Sequence, residues 1–327
     1  MTNSPEITVL TIVYNGQQHI SQAVESILNQ TFEDFEYIIV DNNSTDNTPE
    51  ILSSYAGEDL RIKVIKEAEQ GVLYARNAGL KIANGDWVTI LDSDDVALPD
   101  RLQKQLDFVK DNSGVVLLGS GCNMIDDNGV FLKRYSYPAE YDSLVDCLEN
   151  QDAFFPHSSA FYNRQIASEL GDYRFPHAED YDLWLRLSER GKIASIEEPL
   201  IELRRTVMSR SYNIKQEPYI LFKLVILLCH LRRKRGLSDP FCSKERWDDF
   251  LSWVEEKMKR LKCFKKGIAE RHLHRIWYSN QETKVTGLLK ILVFCLKNPY
   301  AISVLYNKKY LLEAAKKIAV QSESYLK

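Results

Sequence analysis

Apolar residues in the first part of the chain fall in short blocks, and between the blocks they recur at helical spacing. Residues 7–13 form an apolar, β-branched run suited to a parallel strand covered on both faces. Tyr14-Asn15-Gly16 reads as a turn, and residues 19–29 then carry apolar side chains at 20, 23, 24, 27 and 28, one stripe of a helix. The alternation repeats. Residues 35–40 read as a second strand, 48–55 as a helix with Pro49 in its first turn, and 61–65 as a third strand. A helix from Gly71 to about residue 83 ends at Asn84-Gly85, and residues 86–91 form a fourth strand. This order predicts an α/β fold: a Rossmann-like, mostly parallel central sheet flanked by helices. Ligands of such sheets bind beyond the carboxyl ends of the strands.

Past residue 100 the pattern is less regular. The spacing predicts a helix over 101–109 and a hairpin of 115–124 with 130–135 around Asp126-Asp127-Asn128-Gly129. A strand is expected over 155–162, a helix over 180–190 and a short strand over 193–196. From about residue 213 helices dominate, at 217–234, 243–262, 267–278, 283–297, 299–306 and 308–321. The apolar run 219–231 contains Lys223 and is too short for a bilayer, and 286–306 is broken by Lys290, Lys297 and Pro299, so no transmembrane helix is expected.

Charge divides the chain where the pattern changes. The whole carries a net −4, but residues 1–211 hold −17 and residues 212–327 hold +13. This predicts two domains, 1–211 and 212–327, with different partners. Six cysteines (122, 147, 229, 242, 263, 295) form no C-x-x-C pair, and the first residues lack the basic and apolar regions of a secretory signal. Both features suggest reduced thiols and a cytoplasmic chain.

The candidate chemistry lies where the fourth strand ends, at Asp92-Ser93-Asp94-Asp95. Carboxylates this close raise one another's pKa, and a divalent cation offsets that cost. Mg²⁺ is commonly held by one or two carboxylates plus substrate phosphates. The alternative is a solvated acidic turn before the next helix, with Asp95 as its cap. Asp41 at the end of the second strand has the same two readings, ligand or turn former. Gly71 opens a helix whose free N–H groups suit an anion, and Arg76 adds a guanidinium that can grip a diphosphate. Asp180 can act as a general base or as an N-cap of its own helix.

Several motifs, in order, resemble the family 2 glycosyltransferases. They are Thr8-Val9-Leu10-Thr11-Ile12-Val13-Tyr14-Asn15, Asp41-Asn42-Asn43-Ser44-Thr45-Asp46, Gly71 through Arg76-Asn77 to Gly79, Leu91-Asp92-Ser93-Asp94-Asp95 and Glu179-Asp180-Tyr181-Asp182-Leu183-Trp184. The resemblance covers residues 1–211 and implies a GT-A catalytic domain followed by a basic α-helical extension. It implies an inverting, metal-dependent enzyme that moves a hexosyl or N-acetylhexosaminyl group from a UDP-sugar to a saccharide or lipid-linked saccharide, in surface polysaccharide or glycolipid synthesis.

Carried over residue by residue, the resemblance gives Asp41, the main chain near Thr11 and the Tyr14 ring to the uracil, and Gly71 and Arg76 to the diphosphate. Asp92 lies towards ribose, and Asp92-Ser93-Asp94 is the D-x-D motif, with Asp94 the ligand of Mn²⁺ or Mg²⁺. Asp180 is the base and Glu179 its rival. His157, His177 and Trp184 are candidates for contact with sugar or acceptor, each with a structural alternative. Where the family often has a histidine after its arginines, this chain has Thr206, so Arg204, Arg205 or Arg210 is a candidate for the diphosphate. A scaffold that binds nucleotide without turnover is one alternative; a sugar nucleotidyltransferase is another, weakened by the absence of a basic glycine-rich loop after Val13. The basic, apolar-interleaved stretch 257–275 suits an anionic membrane surface or an oligomer contact, and no nucleic-acid motif is evident.

Overall fold

The computed structural model describes residues 4–150, 154–205, 216–240, 244–260, 315, 316 and 318. The backbone falls into two compact units, Met1–Leu148 with Ala153–Ser209, and Glu149–Asp152 with Arg210–Lys327.

The first unit is built on a nine-stranded sheet. Strands β1 (Ile7–Val13), β2 (Phe35–Asp41), β3 (Ile62–Lys66) and β4 (Trp87–Ile90) run parallel in the order β3-β2-β1-β4. Helices α1 (Ile20–Leu28), α2 (Thr48–Glu58) and α3 (Val72–Ile82) make the crossovers. All seven residues of β2 are buried, as in a strand covered on both faces, and Glu36, which interrupts its apolar run, is paired with Lys63. Helix α1 turns Ile20, Ala23, Val24 and Ile27 onto the sheet. Gly79 lets α3 lie close to it, since a Cβ there would collide with Leu10 and press on Val40.

Beyond β4 the sheet continues through β8 (Phe161–Asn163), β6 (Val115–Ile125) and β9 (Lys192–Arg204) to β5 (Val96–Ala97), with β7 (Phe131–Tyr135) paired to β6. Here β8 is antiparallel to both neighbours, whereas β6 and β9 run parallel. Helices α4 (Arg101–Asp111), α5 (Tyr141–Asn150), α6 (Arg164–Glu169) and α7 (Glu179–Ser188) fill the connections. Arg101, fully buried at the start of α4, donates from Nη2 to Thr89 Oγ1 (2.6 Å) and the Ile90 carbonyl (2.8 Å). A cation is thus fixed beneath the end of β4. Burial lowers its pKa to about 9, which leaves it charged at neutral pH.

The sequence pattern does not foresee β5, α5 or α6, and three of its expectations are changed. The strand expected over 155–162 is a 3₁₀ turn, His157–Ser159, followed by the short β8. The short strand expected over 193–196 runs on to Arg204, because it pairs along the whole of β6. The helix α4 begins at Arg101 with Asp100 before it, so Asp95 does not cap it.

In the second unit α8 (Gln216–Arg233) and α9 (Lys244–Arg260) match the expected helices. Leu224, Val225, Leu227 and Leu228 of α8 and Phe250, Val254 and Met258 of α9 are fully buried. Glu149 receives hydrogen bonds from His230 (3.1 Å) and Lys234 (2.6 Å). Among the described residues no helix is long and apolar enough to cross a membrane. The helices expected over 267–278, 283–297 and 299–306, most of 308–321, and residues 261–275 of the basic stretch lie outside the described residues.

Candidate active site

The acidic loop leaves β4 at Leu91. Its start is tied to β1, where Thr11 Oγ1 donates to the Leu91 carbonyl (2.8 Å) and meets Tyr37 Oη at 3.0 Å. Thr11 is fully buried and its main chain pairs with Ile39, so it belongs to the sheet and not to an open base pocket. The Asp92 N–H donates to Ser158 Oγ (2.9 Å), which seats the loop on the 3₁₀ turn.

The three carboxylates face different surroundings. The Asp92 side chain is part-exposed. Burial, and then the charge of Asp92, push the Asp94 carboxyl up to about 6. Asp95 is buried: its Oδ1 accepts from the Arg204 N–H (2.7 Å), and burial with the charges of Asp94 and Asp92 raises its pKa further. Asp95 is therefore the loop's anchor. Among the described residues no three His, Cys, Asp or Glu side chains form a ready metal cage. Two neighbouring carboxylates, one with an elevated pKa, are a hard oxygen donor set that fits Mg²⁺ or Mn²⁺ when phosphate oxygens complete the shell.

Arg204 does not face a substrate. Its Nε donates to the Asp94 carbonyl (2.8 Å), Nη1 to the carbonyls of Asp126 (3.1 Å) and Asp127 (3.0 Å), and Nη2 to Gln22 Oε1 (2.7 Å). Four of its five N–H groups are spent on protein acceptors, which leaves no fork for a diphosphate, so the diphosphate reading of Arg204 is replaced by a clamp on the loop. The Arg205 N–H donates to the Ile125 carbonyl (2.9 Å). Thr206 and Arg210 lie outside the described residues.

Opposite the loop, α3 and α7 meet at Arg76. This buried guanidinium donates from Nη1 to Glu179 Oε1 and from Nη2 to His157 Nδ1 (3.2 Å), and lies 3.9 Å from Asp92. Burial works against its charge. Glu179 above all, with Asp92 and Asp180, outweighs burial and raises the pKa. A guanidinium only donates, so Nδ1 is the acceptor and a neutral His157 carries its proton on Nε2, facing Tyr173 Oη at 2.9 Å. Trp184 is buried and stacks on His157 with centroids 5.7 Å apart, which is a packing role. The expected diphosphate ligand is thus a buried hub between the strand tip and α7.

The approach to α7 is held at several points. Asn77 donates from Nδ2 to the Tyr173 carbonyl (2.8 Å) and accepts at Oδ1 from its N–H (3.2 Å). Fully buried Asp182 binds Arg174 (2.7 Å) and Arg186 (2.7 Å), and Arg186 also donates to the Leu170 (2.7 Å) and Asp172 (2.6 Å) carbonyls. Ala178 takes the left-handed conformation (φ +53°), which turns the chain sharply into the first helical turn, where Glu179 is buried and Asp180 is half-buried. The N-terminal dipole of α7 favours negative charge at both. His177 lies in this approach, half-buried.

At the other end of the strand tips, Asp41 Oδ1 accepts from the Ser44 N–H (3.0 Å), so Asp41 does form the turn. A carboxylate retains further acceptor capacity. Tyr14, 53% exposed, follows Val13 at the end of β1, and Val13 pairs with Asp41. Asn42 donates to the Glu67 (3.2 Å) and Glu69 (2.8 Å) carbonyls and accepts from the Gly71 N–H (2.8 Å). Gly71 sits at φ +145°, which a side chain would strain. Sequence reasoning left Asn42, Tyr173, Asp182 and Arg101 without roles; only the Asp182–Arg186 spacing signalled one of them.

A model of glycosyl transferase family 2 matches residues 8–171. The chain belongs to this family. It is 35% identical over 244 residues to an uncharacterized glycosyltransferase, MJ1057, of Methanocaldococcus jannaschii, covering 71% of this chain and 82% of the relative. It is 33% identical over 216 residues to a putative teichuronic acid biosynthesis glycosyltransferase, TuaG, of Bacillus subtilis, covering 65% and 84%. Among solved structures, the mannosyltransferase PcManGT of Pyrobaculum calidifontis in complex with GDP-Man and Mn²⁺ matches with TM-score 0.53 and 19% identity, covering 98% of this chain and 88% of that one. That likeness is one of fold, and it agrees with the GT-A architecture of the family. The family 2 domain therefore takes in the acidic loop, the Arg76 hub and His157, while α7 lies past the matched residues.

Proposed function

We propose that this family 2 glycosyltransferase is an inverting enzyme that transfers a sugar from a nucleotide-sugar donor, a UDP-sugar, to a hydroxyl of a saccharide or lipid-linked saccharide. The observation that carries this reading is the Arg76 bridge, with Glu179 on one side and Asp92, at 3.9 Å, on the other. It draws the start of α7 towards the acidic loop, so that a base and a leaving-group site can share one sugar.

Asp180 accepts the proton of the attacking hydroxyl. The acceptor oxygen bonds to the anomeric carbon from one face as the bond to the β-phosphate oxygen breaks on the other, and the nucleoside diphosphate leaves with the electron pair. Glu179 is committed to Arg76 and holds that hub, which leaves Asp180 as the base. Asp94, with Asp92, would hold Mn²⁺ or Mg²⁺. The bound ion offsets the charge that develops on the departing diphosphate. Asp41 reads the uracil N–H with Tyr14 against the ring, and the α3 N-terminus at Gly71 faces the phosphates. The relative named for teichuronic acid biosynthesis supports an acceptor on the way to a polysaccharide.

The test is nucleotide release from UDP- and GDP-sugars with Mn²⁺ by wild type and Asp180→Asn. Turnover of a UDP-sugar by wild type, lost in Asp180→Asn with UDP binding retained, is the expected result. Binding of UDP with no donor turned over, acceptors present, would overturn it in favour of a scaffold. Preference for a GDP-sugar would overturn the uracil assignment of Asp41.

A further inference from the structure

The β6–β7 hairpin ends in three consecutive exposed apolar residues, Val130 (58% exposed), Phe131 (57%) and Leu132 (38%). The register against β6 slips here: Lys133 faces Met124 and Phe131 faces Ile125, so Leu132 is the extra residue of a bulge. The bulge breaks the alternation that would turn one of two neighbours inward. Two basic residues follow at once. Lys133 lies over the Tyr135 ring (4.7 Å), and Arg134 donates to the Asn123 carboxamide (3.2 Å). The stretch 128–135 contains no acid. The two acids before it are engaged: Asp126 accepts from the N–H groups of Asn128 and Val130, and Asp127 pairs with His19 (2.9 Å).

We infer that this hairpin tip is a membrane-docking wedge that seats on a bilayer with anionic headgroups. Phe131 and Leu132 would enter the headgroup–acyl boundary, with Lys133 and Arg134 at the phosphates. Charge decides the occupant: an apolar tip followed by two cations and no anion matches a negatively charged lipid surface. The same cations oppose pairing of the β7 edge with a second copy of the chain. The position has a consequence for the proposed reaction. Arg204 binds the Asp94 carbonyl and the Asp126 and Asp127 carbonyls at once, so the turn leading to the wedge is one guanidinium away from the acidic loop. A wedge so placed would present the loop to an acceptor held in the membrane. That consequence rests on the glycosyltransfer reading, whereas the docking does not.

The experiment is co-sedimentation of the full chain with vesicles of phosphatidylcholine alone and of phosphatidylcholine mixed with phosphatidylglycerol. Wild type is compared with Phe131→Ser/Leu132→Ser and with Lys133→Glu/Arg134→Glu. Wild type should bind the anionic vesicles and hardly the neutral ones, and each double variant should lower that binding by about tenfold. Unchanged binding in both variants, or no binding by wild type, overturns the proposal. Loss of a concentration-dependent dimer in Phe131→Ser/Leu132→Ser, without loss of vesicle binding, also overturns it and assigns the tip to self-association. Nucleotide release with a soluble acceptor should match wild type in both variants. A wild type that binds vesicles but turns over no donor would sink the glycosyltransfer reading alone.

Discussion

Arg76 and Glu179 form an ion pair in which both side chains are buried, although they stand 103 positions apart in the chain. The pair joins α3 to α7 and distinguishes two adjacent acids. Removing Glu179 leaves a buried cation short of its partner, which typically costs about 3–5 kcal/mol. Glu179→Gln should therefore lower thermal stability markedly along with activity. Asp180→Asn should leave the melting temperature near wild type and reduce kcat by roughly 10²–10⁴. Denaturation curves and single-turnover rates of the two variants decide the assignment; a stable Glu179→Gln with lost turnover would make Glu179 the base.

Arg204 predicts a loss of a different kind. Its guanidinium holds the carbonyls of Asp94, Asp126 and Asp127 in place. Arg204→Ala should cost stability, at about 1.5–3 kcal/mol for a lost hydrogen bond to a charged group. It should also weaken Mn²⁺-dependent UDP binding, because Asp94 is no longer fixed. UDP binding in the presence of a chelator should change little. A large loss in that metal-free arm would return Arg204 to the diphosphate.

The parallel half of the sheet was legible because burial on both faces leaves a nearly continuous apolar run, as in residues 35–40 with Glu36 as the single interruption, and because helical stripes separate the runs. The carboxyl-end positions of Asp41, Asp92 and Asp94 followed from that order. The second half was harder to read. Residues 155–162 look like a strand, but Ser158 and Ser159 are spent on the Asp92 N–H and on the turn itself, and the backbone folds as a 3₁₀ element first. The hub was hidden for another reason. Nothing local to Arg76 says that its partners are Glu179 and His157, since such pairings belong to the fold and carry no sequence period. Arg204 was misread for the same reason: an arginine near a phosphate site has the same sequence signature as one that ties loops together.

Asn77 tests whether the approach to α7 matters for the acceptor. Its carboxamide makes two hydrogen bonds to the Tyr173 backbone. Asn77→Ala should free the segment 171–178 and lower kcat/KM for the acceptor by about tenfold, while KM for the donor stays within about twofold. Initial rates with each substrate varied in turn check this. Equal losses for both substrates would mean that Asn77 supports α3 itself.

The second unit has a pH-dependent contact. His230, by its hydrogen bond, and Lys234, by hydrogen bond and charge, hold the Glu149 carboxyl at about 2 against the opposing effect of burial, from an ordinary 4.5. A carboxylate with a lowered folded-state pKa contributes stability that is complete above its unfolded value and lost as pH falls towards the folded value. The contribution of Glu149 should therefore be full above about pH 4.5, shrink between 4.5 and 2, and vanish below. Glu149→Gln lacks the titrating group, so the stability difference between wild type and this variant isolates it from other acids. Denaturant unfolding of both proteins at several pH values through that window measures the difference. A gap that stays constant down to pH 2 would show that Glu149 contributes through packing and not through charge.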